Sequence, residues 1–217
     1  MKCLGIVLFA LAAWGGVGAG GASAKVVHDF KSNSSSVIIT GEQTAPFTFK
    51  FGAGSTLTCL TSKANGTVKT PTSELTVEFT NSNCTLNEMT ATFESNRCHY
   101  VFTGETKAGF EHADYAIECE PGTKLLVKVS GCTLEIPAQT AEAGAGYKET
   151  ESGGVKDVDV AMTSTGGIYT KTGILCGLIG GNGSDLSITG TYTMKAYTDN
   201  ENKEGSQTSF WFESTIT

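Results

Sequence analysis

The sequence predicts an all-β fold, an antiparallel β-sandwich or barrel-like pair of sheets stapled by disulfides, on three observations. Short β-branched or aromatic runs alternate apolar and polar residues along most of the chain, as half-buried strands do. Gly, Thr and Ser supply about a third of the 217 residues and charged residues only 17%, a turn-rich, strand-favouring mixture. No segment sustains a 3.6-residue period over three turns.

Residues 1–24 predict an export signal. Lys2 gives a positive start, residues 4–14 form an apolar run, and Ala22-Ser23-Ala24 is an A-x-A cleavage signature, so the exported chain is expected to begin at Lys25. A membrane span needs roughly 20 strongly apolar residues. This run is shorter and no later one is long enough, so no span is expected after cleavage.

The strands then follow in order. Val37-Ile38-Ile39 and Phe47-Thr48-Phe49-Lys50-Phe51 open the series, and the three phenylalanines share one face and are expected in the core. Leu75-Thr76-Val77-Glu78-Phe79, Met89–Glu94, Cys98-His99-Tyr100-Val101-Phe102, Leu125–Val129 and Cys132-Thr133-Leu134-Glu135-Ile136 continue the pattern. So do residues 155–162, 186–197 and 209–216. Trp211 is expected mostly in the core, because Phe210-Trp211-Phe212 sits in a strand with two faces to fill; exposure of Trp211 and Tyr192 would instead suggest sugar stacking. A boundary is expected within residues 137–154, of which 137–146 are small and unpatterned as a linker would be, dividing an N-terminal β lobe (25–140) from a C-terminal β lobe (141–217), packed as one unit.

Cys3 leaves with the signal, and Cys59, Cys84, Cys98, Cys119, Cys132 and Cys176 remain. An even number in a chain bound for an oxidising compartment predicts three disulfides. A zinc site would want short C-x-x-C pairs and histidines at ligand spacing, which are absent. The spacings C-x13-C and C-x12-C echo one another and make Cys84 to Cys98, Cys119 to Cys132 and Cys59 to Cys176 the simplest pairing. Cys59 to Cys84 with Cys98 to Cys176 is nearly as good.

Motifs for chemistry are few. With 15 Lys plus Arg against 22 Asp plus Glu, and Arg97 the only arginine, a phosphate-binding surface has little to be built from, and nucleic acid is excluded as a partner. His112 and Asp114 share a strand face and would suit a metal or an oriented base, but no nucleophile motif or third ligand accompanies them. His99 is expected to face outward beside Tyr100, and His28 lies near the new N-terminus, so a three-histidine metal site is not expected. Glu74, Glu78, Glu94, Glu105, Glu111, Asp114, Glu118, Asp157 and Asp159 are the carboxylates that a glycoside hydrolase would have to bring together in space. Residues 199–205 resemble a calcium loop, but Glu204 occupies its glycine position, so they read as a polar hairpin loop. Asn33, Asn65, Asn83 and Asn182 begin glycosylation sequons.

The succession Thr40-Gly41-Glu42-Gln43, Leu57-Thr58-Cys59, Asn83-Cys84-Thr85, Cys98-His99-Tyr100, Ile117-Glu118-Cys119-Glu120-Pro121-Gly122, Cys132-Thr133-Leu134-Glu135-Ile136-Pro137-Ala138-Gln139, Cys176 and Gly190-Thr191-Tyr192 resembles a group of secreted six-cysteine β-proteins of soil actinobacteria. It covers most of the chain after residue 24. The group's Gly-x-Tyr-x-Gly element is only partly matched by Gly190-Thr191-Tyr192-Thr193-Met194. That group has no assigned activity, so the resemblance implies export, disulfides and β-structure and carries over no catalytic residue. The functional expectation is a secreted, non-enzymatic extracellular or cell-envelope module without cofactor or metal, binding a protein, polysaccharide or small molecule through its loops. The alternative is a secreted hydrolase using converging carboxylates.

Overall fold

A computed structural model of the chain describes residues 26–52, 54–107, 110–140, 144–179, 183–199 and 204–216. The expected export signal lies outside the described residues, as do Asn182 and residues 200–203 of the expected hairpin loop. The fold is all-β and antiparallel throughout.

In chain order the strands are β1 (Val26–Ser32), β2 (Ser36–Phe51), β3 (Ser55–Lys69), β4 (Glu74–Leu86) and β5 (Met89–Glu94), then β6 (Cys98–Lys107), β7 (Phe110–Cys119), β8 (Leu125–Val129), β9 (Cys132–Ile136) and β10 (Gln139–Thr140). β11 (Ala145–Ser152), β12 (Val155–Thr172), a 3-10 turn (Cys176–Ile179), β13 (Gly183–Tyr197), β14 (Gln207–Thr208) and β15 (Phe210–Ile216) complete the chain. Turn chemistry sets several of the links. Gly153 and Gly154 both take positive φ, which the two-residue hairpin between β11 and β12 requires, and Asn87 and Glu88 do the same between β4 and β5.

The pairing closes on itself twice. β2, β3, β4, β6, β7, β11, β12 and β13 pair in sequence, and β13 returns to β2, giving one ring. β2, β3 and β4 also continue through β5, β8 and β9 to β12, β13 and back to β2, giving a second. Five strands of 13 to 18 residues are therefore common to two barrels stacked end to end. Full closure removes the sheet edges that would invite pairing with other chains.

Running through both barrels has a geometric consequence at the waist. In β3 the buried positions are Ser55, Leu57 and Cys59 on one side and Ser62, Ala64 and Val68 on the other, so the inward phase slips by one residue. β4 slips between Asn81 and Cys84, where Asn83 has φ 53°, and β12 slips between Ser164 and Tyr169. The register between β2 and β3 shifts between Glu42 and Phe47, and that between β13 and β2 shifts near Thr191. Such bulges re-aim a strand at the price of a few ladder bonds.

The barrels are filled by side chains. In the second, Phe47 and Phe49 meet edge to face at 4.9 Å, Phe49 lies 5.3 Å from Phe93, and Phe51 lies 5.1 Å from Tyr169. At the mouth of the first, β1 and β15 pair over seven positions as a ribbon touching β4 and β6 on one side and β11, β12 and β13 on the other. Its Phe30, Phe210 and Phe212 are fully buried, with Phe30 against Tyr147. The far end of the second barrel is covered by the 3-10 turn, whose Ile179 is buried and accepts a hydrogen bond from Ser55 Oγ.

Three disulfides form, with pairings other than the simplest one that the spacing suggests. Cys59 joins Cys84, Cys98 joins Cys119 and Cys132 joins Cys176. The first two connect residues directly opposite each other in neighbouring strands, β3 with β4 and β6 with β7. Cys84 and Cys98 cannot serve as one local clip, because β5 leaves β4 for the second barrel while β6 returns to the first. Of the runner-up pairing, only Cys59 to Cys84 is present.

Residues 137–154 are not a linker. They contain β10 and β11, both paired with β7, because Ala145 and Tyr147 have core positions to fill. Segments 25–140 and 141–217 each contribute strands to both barrels, and Cys132–Cys176 ties one segment to the other.

Candidate functional site

Because the barrels are packed, room for a ligand lies on their outer face. A groove of about 310 Å3 opens beside the terminal ribbon, lined by Asn33, Glu151, Gly154, Lys156, Ser209 and Trp211. Strand alternation positions its aromatic wall. Phe210 and Phe212 point into the first barrel, so Trp211 between them must point out, and it is only half-buried. The expectation that Trp211 is mostly core is corrected: the outer face of the ribbon is open, so the strand has one face to fill rather than two. Tyr192 is fully buried, as a core residue.

The polar rim is held in place. The Lys156 backbone N–H donates to Ser209 Oγ at 3.1 Å, pinning the β11–β12 hairpin to the start of β15. Lys156 Nζ lies 5.9 Å from the Trp211 ring centroid and 3.1 Å from Glu149 Oε2, which keeps the ammonium over the indole. Trp211 Nε1 donates to Glu213 Oε2 at 3.3 Å, and Lys31 Nζ reaches the same oxygen at 3.1 Å. The hydrogen bond from Lys31, then that from Trp211, holds the Glu213 carboxyl below the ordinary value. The groove offers one flat apolar face edged by an ammonium, a hydroxyl, a carboxylate and an amide.

Comparison with protein-family models, curated proteins and solved structures gave no match. The functional reading therefore rests on this geometry and on where the other candidate residues fall.

The histidines lie on three different strands, β1, β6 and β7. His28 is buried under the ribbon, with Nδ1 2.6 Å from Ser214 Oγ and its ring stacked on Phe212. His99 lies on the outer side of β6, 3.5 Å from Glu118 Oε2. His112 pairs with Glu105 and Gly146 in register, and its side chain lies outside the described residues, as do those of Glu105 and Glu111. Among the described residues, no group of three or more His, Cys, Asp or Glu is arranged to hold a metal.

Most described carboxylates are dispersed. Glu94 pairs with Lys128, while Glu74 and Glu78 are exposed on β4. Asp157 and Asp159 share the outer face of β12. Asp157 accepts a hydrogen bond from Gln207 Nε2 at 3.0 Å, and Asp159 accepts one from Thr193 Oγ1 at 2.6 Å. Burial pushes Asp157 above its ordinary range, opposed by Gln207 and Lys195, while Asp159 adds to the rise.

Sequence reasoning missed Asn33, Glu151, Lys156 and Ser209 as groove residues. Only the Gly153-Gly154 turn and the middle place of Trp211 in Phe-Trp-Phe carried a usable signal; the pairing of β1 with β15, with Phe30 beside Phe212 in register, carried none.

Proposed function

We propose that this chain is an exported, non-enzymatic binding module of the extracellular space or cell envelope, and that it holds a carbohydrate at the Trp211 groove. The observation that carries the reading is the outward, half-buried indole set among fixed polar groups on an otherwise filled barrel. Sugars present apolar ring faces that stack on such an aromatic and hydroxyls that reach its rim. Export is supported by the expected signal and by three disulfides, which persist in oxidising compartments.

Sedimentation of the protein with insoluble chitin, cellulose and peptidoglycan tests the proposal. Retention on at least one polymer, lost in Trp211→Ala, is expected. Equal retention of wild type and variant on every polymer, or retention on none, contradicts it.

The hydrolase alternative has one observation in its favour, the raised carboxyl of Asp157 next to Asp159. That pair sits on a strand face under Gln207 and outside the Trp211 groove, so binding is the stronger reading.

A further inference from the structure

The waist between the barrels is polar inside. Ser62, Asn81 and Ser164 are buried there, on β3, β4 and β12, together with the hydroxyls of Tyr100, Tyr115 and Tyr192. They form one neighbourhood. Ser62 and Asn81 are opposite each other in the β3–β4 ladder, and Ser62 Oγ lies 2.7 Å from the Tyr192 hydroxyl. The rings of Tyr192 and Tyr100 flank Phe79 at 4.8 and 4.7 Å, and Tyr100 lies 6.1 Å from Tyr115. Gln43, opposite Tyr192 in register, spends its amide N–H on the Leu60 carbonyl.

Several of these groups have no protein partner. Asn81 Nδ2 and Oδ1, the Tyr100 hydroxyl and Gln43 Oε1 are all buried and make no hydrogen bond with the protein, whereas the Tyr115 hydroxyl has Ser164 as a neighbour. An unpaired buried polar group is destabilising, and four such atoms in one place would offset much of the stability of a domain. The slipped strand phases explain why they gather. Where β3, β4 and β12 change their inward residues, the apolar layers of the two barrels stop and short polar side chains fill the step.

We propose that the waist is a binding site for a small cluster of ordered water molecules, coordinated by Asn81, Tyr100 and Gln43. A buried water makes about three hydrogen bonds, so roughly two or three waters satisfy these atoms and bridge one another. The cluster joins the two barrels as a polar layer between two apolar cores, with Asn81, which offers both donors and an acceptor, as its central ligand.

Oxygen-17 relaxation dispersion on the disulfide-bonded protein, compared with Tyr100→Phe and Asn81→Leu, tests the proposal. The expected result is a component of water residing longer than surface hydration in the wild type, reduced in both variants, with Tyr100→Phe lowering the denaturant midpoint although it changes no packing volume. Absence of that component contradicts the proposal. So does a midpoint that rises in Tyr100→Phe, since removing a hydroxyl that had no partner relieves a cost. A crystal structure with electron density at the waist for an organic molecule in place of water would overturn the choice of ligand.

Discussion

Phe210, Trp211 and Phe212 are neighbours in β15 and separate on substitution. Phe210→Ala or Phe212→Ala opens a cavity in a fully buried aromatic cluster and should cost about 3–5 kcal/mol, whereas Trp211→Ala should cost about 1 kcal/mol in urea unfolding. Equal losses at all three positions would place Trp211 in the core. Asp157 supplies a pH test. Burial raises its folded pKa above the ordinary 3.8 of the unfolded chain, so the folded state binds its proton more tightly and stability falls as pH rises through the window between the two values. Asp157→Asn keeps an acceptor for Gln207 and removes that penalty. Its melting temperature should exceed that of the wild type at pH 7, with the gap closing near pH 3; a lower melting temperature at pH 7 would mean that the charge is stabilising. At this scale the sequence was legible where alternation meets a fully buried face, as at Phe47, Phe49 and Phe51. It was not legible at Trp211 or Asn81, because a lone polar or amphipathic residue does not say which layer its strand will meet.

Among elements, strands were readable and their partners were not. Period-two alternation marks Leu75-Thr76-Val77-Glu78-Phe79 or Leu125–Val129 as strands from local sequence alone. The runs at Val37 and Phe47 are one strand, because β2 bends through an irregularity instead of turning back. Pairing is a long-range property, and so the disulfide connectivity escaped: Cys98 meets Cys119 because β6 and β7 form a hairpin, which two similar cysteine spacings do not encode. The three loops have sequence separations of 25, 21 and 44. In the chain-entropy model each bridge then contributes about 3–4 kcal/mol, the Cys132–Cys176 bridge the most. Paired Cys→Ser variants, followed by denaturant unfolding, should each lose stability of this order. Cys132→Ser with Cys176→Ser should also speed proteolysis near residue 175, since that bridge holds the 3-10 turn over the second barrel. Unchanged protease resistance there would mean that Ile179 and Ser55 hold the turn without it.

At the scale of the whole molecule, two filled barrels share five strands, and β1 and β15 meet as a ribbon across one mouth. The all-β, disulfide-bonded character was legible from composition and alternation; the double closure was not, because each long strand serves one barrel with its first half and the other with its second. A molecule so filled has its exterior left for recognition, and the Trp211 groove is where the ribbon, the β11–β12 hairpin and Asn33 come together. Trp211 is the single tryptophan after residue 24, so intrinsic fluorescence reports on this groove alone. The most direct measurement is therefore a fluorescence titration of the chain from Lys25 onward with soluble chitin, cellulose and peptidoglycan oligosaccharides. A saturable change in Trp211 emission with one of them, accompanied by protection from acrylamide quenching, is the predicted result. Emission and quenching unchanged by an oligosaccharide that the protein demonstrably binds would place recognition elsewhere and contradict the account.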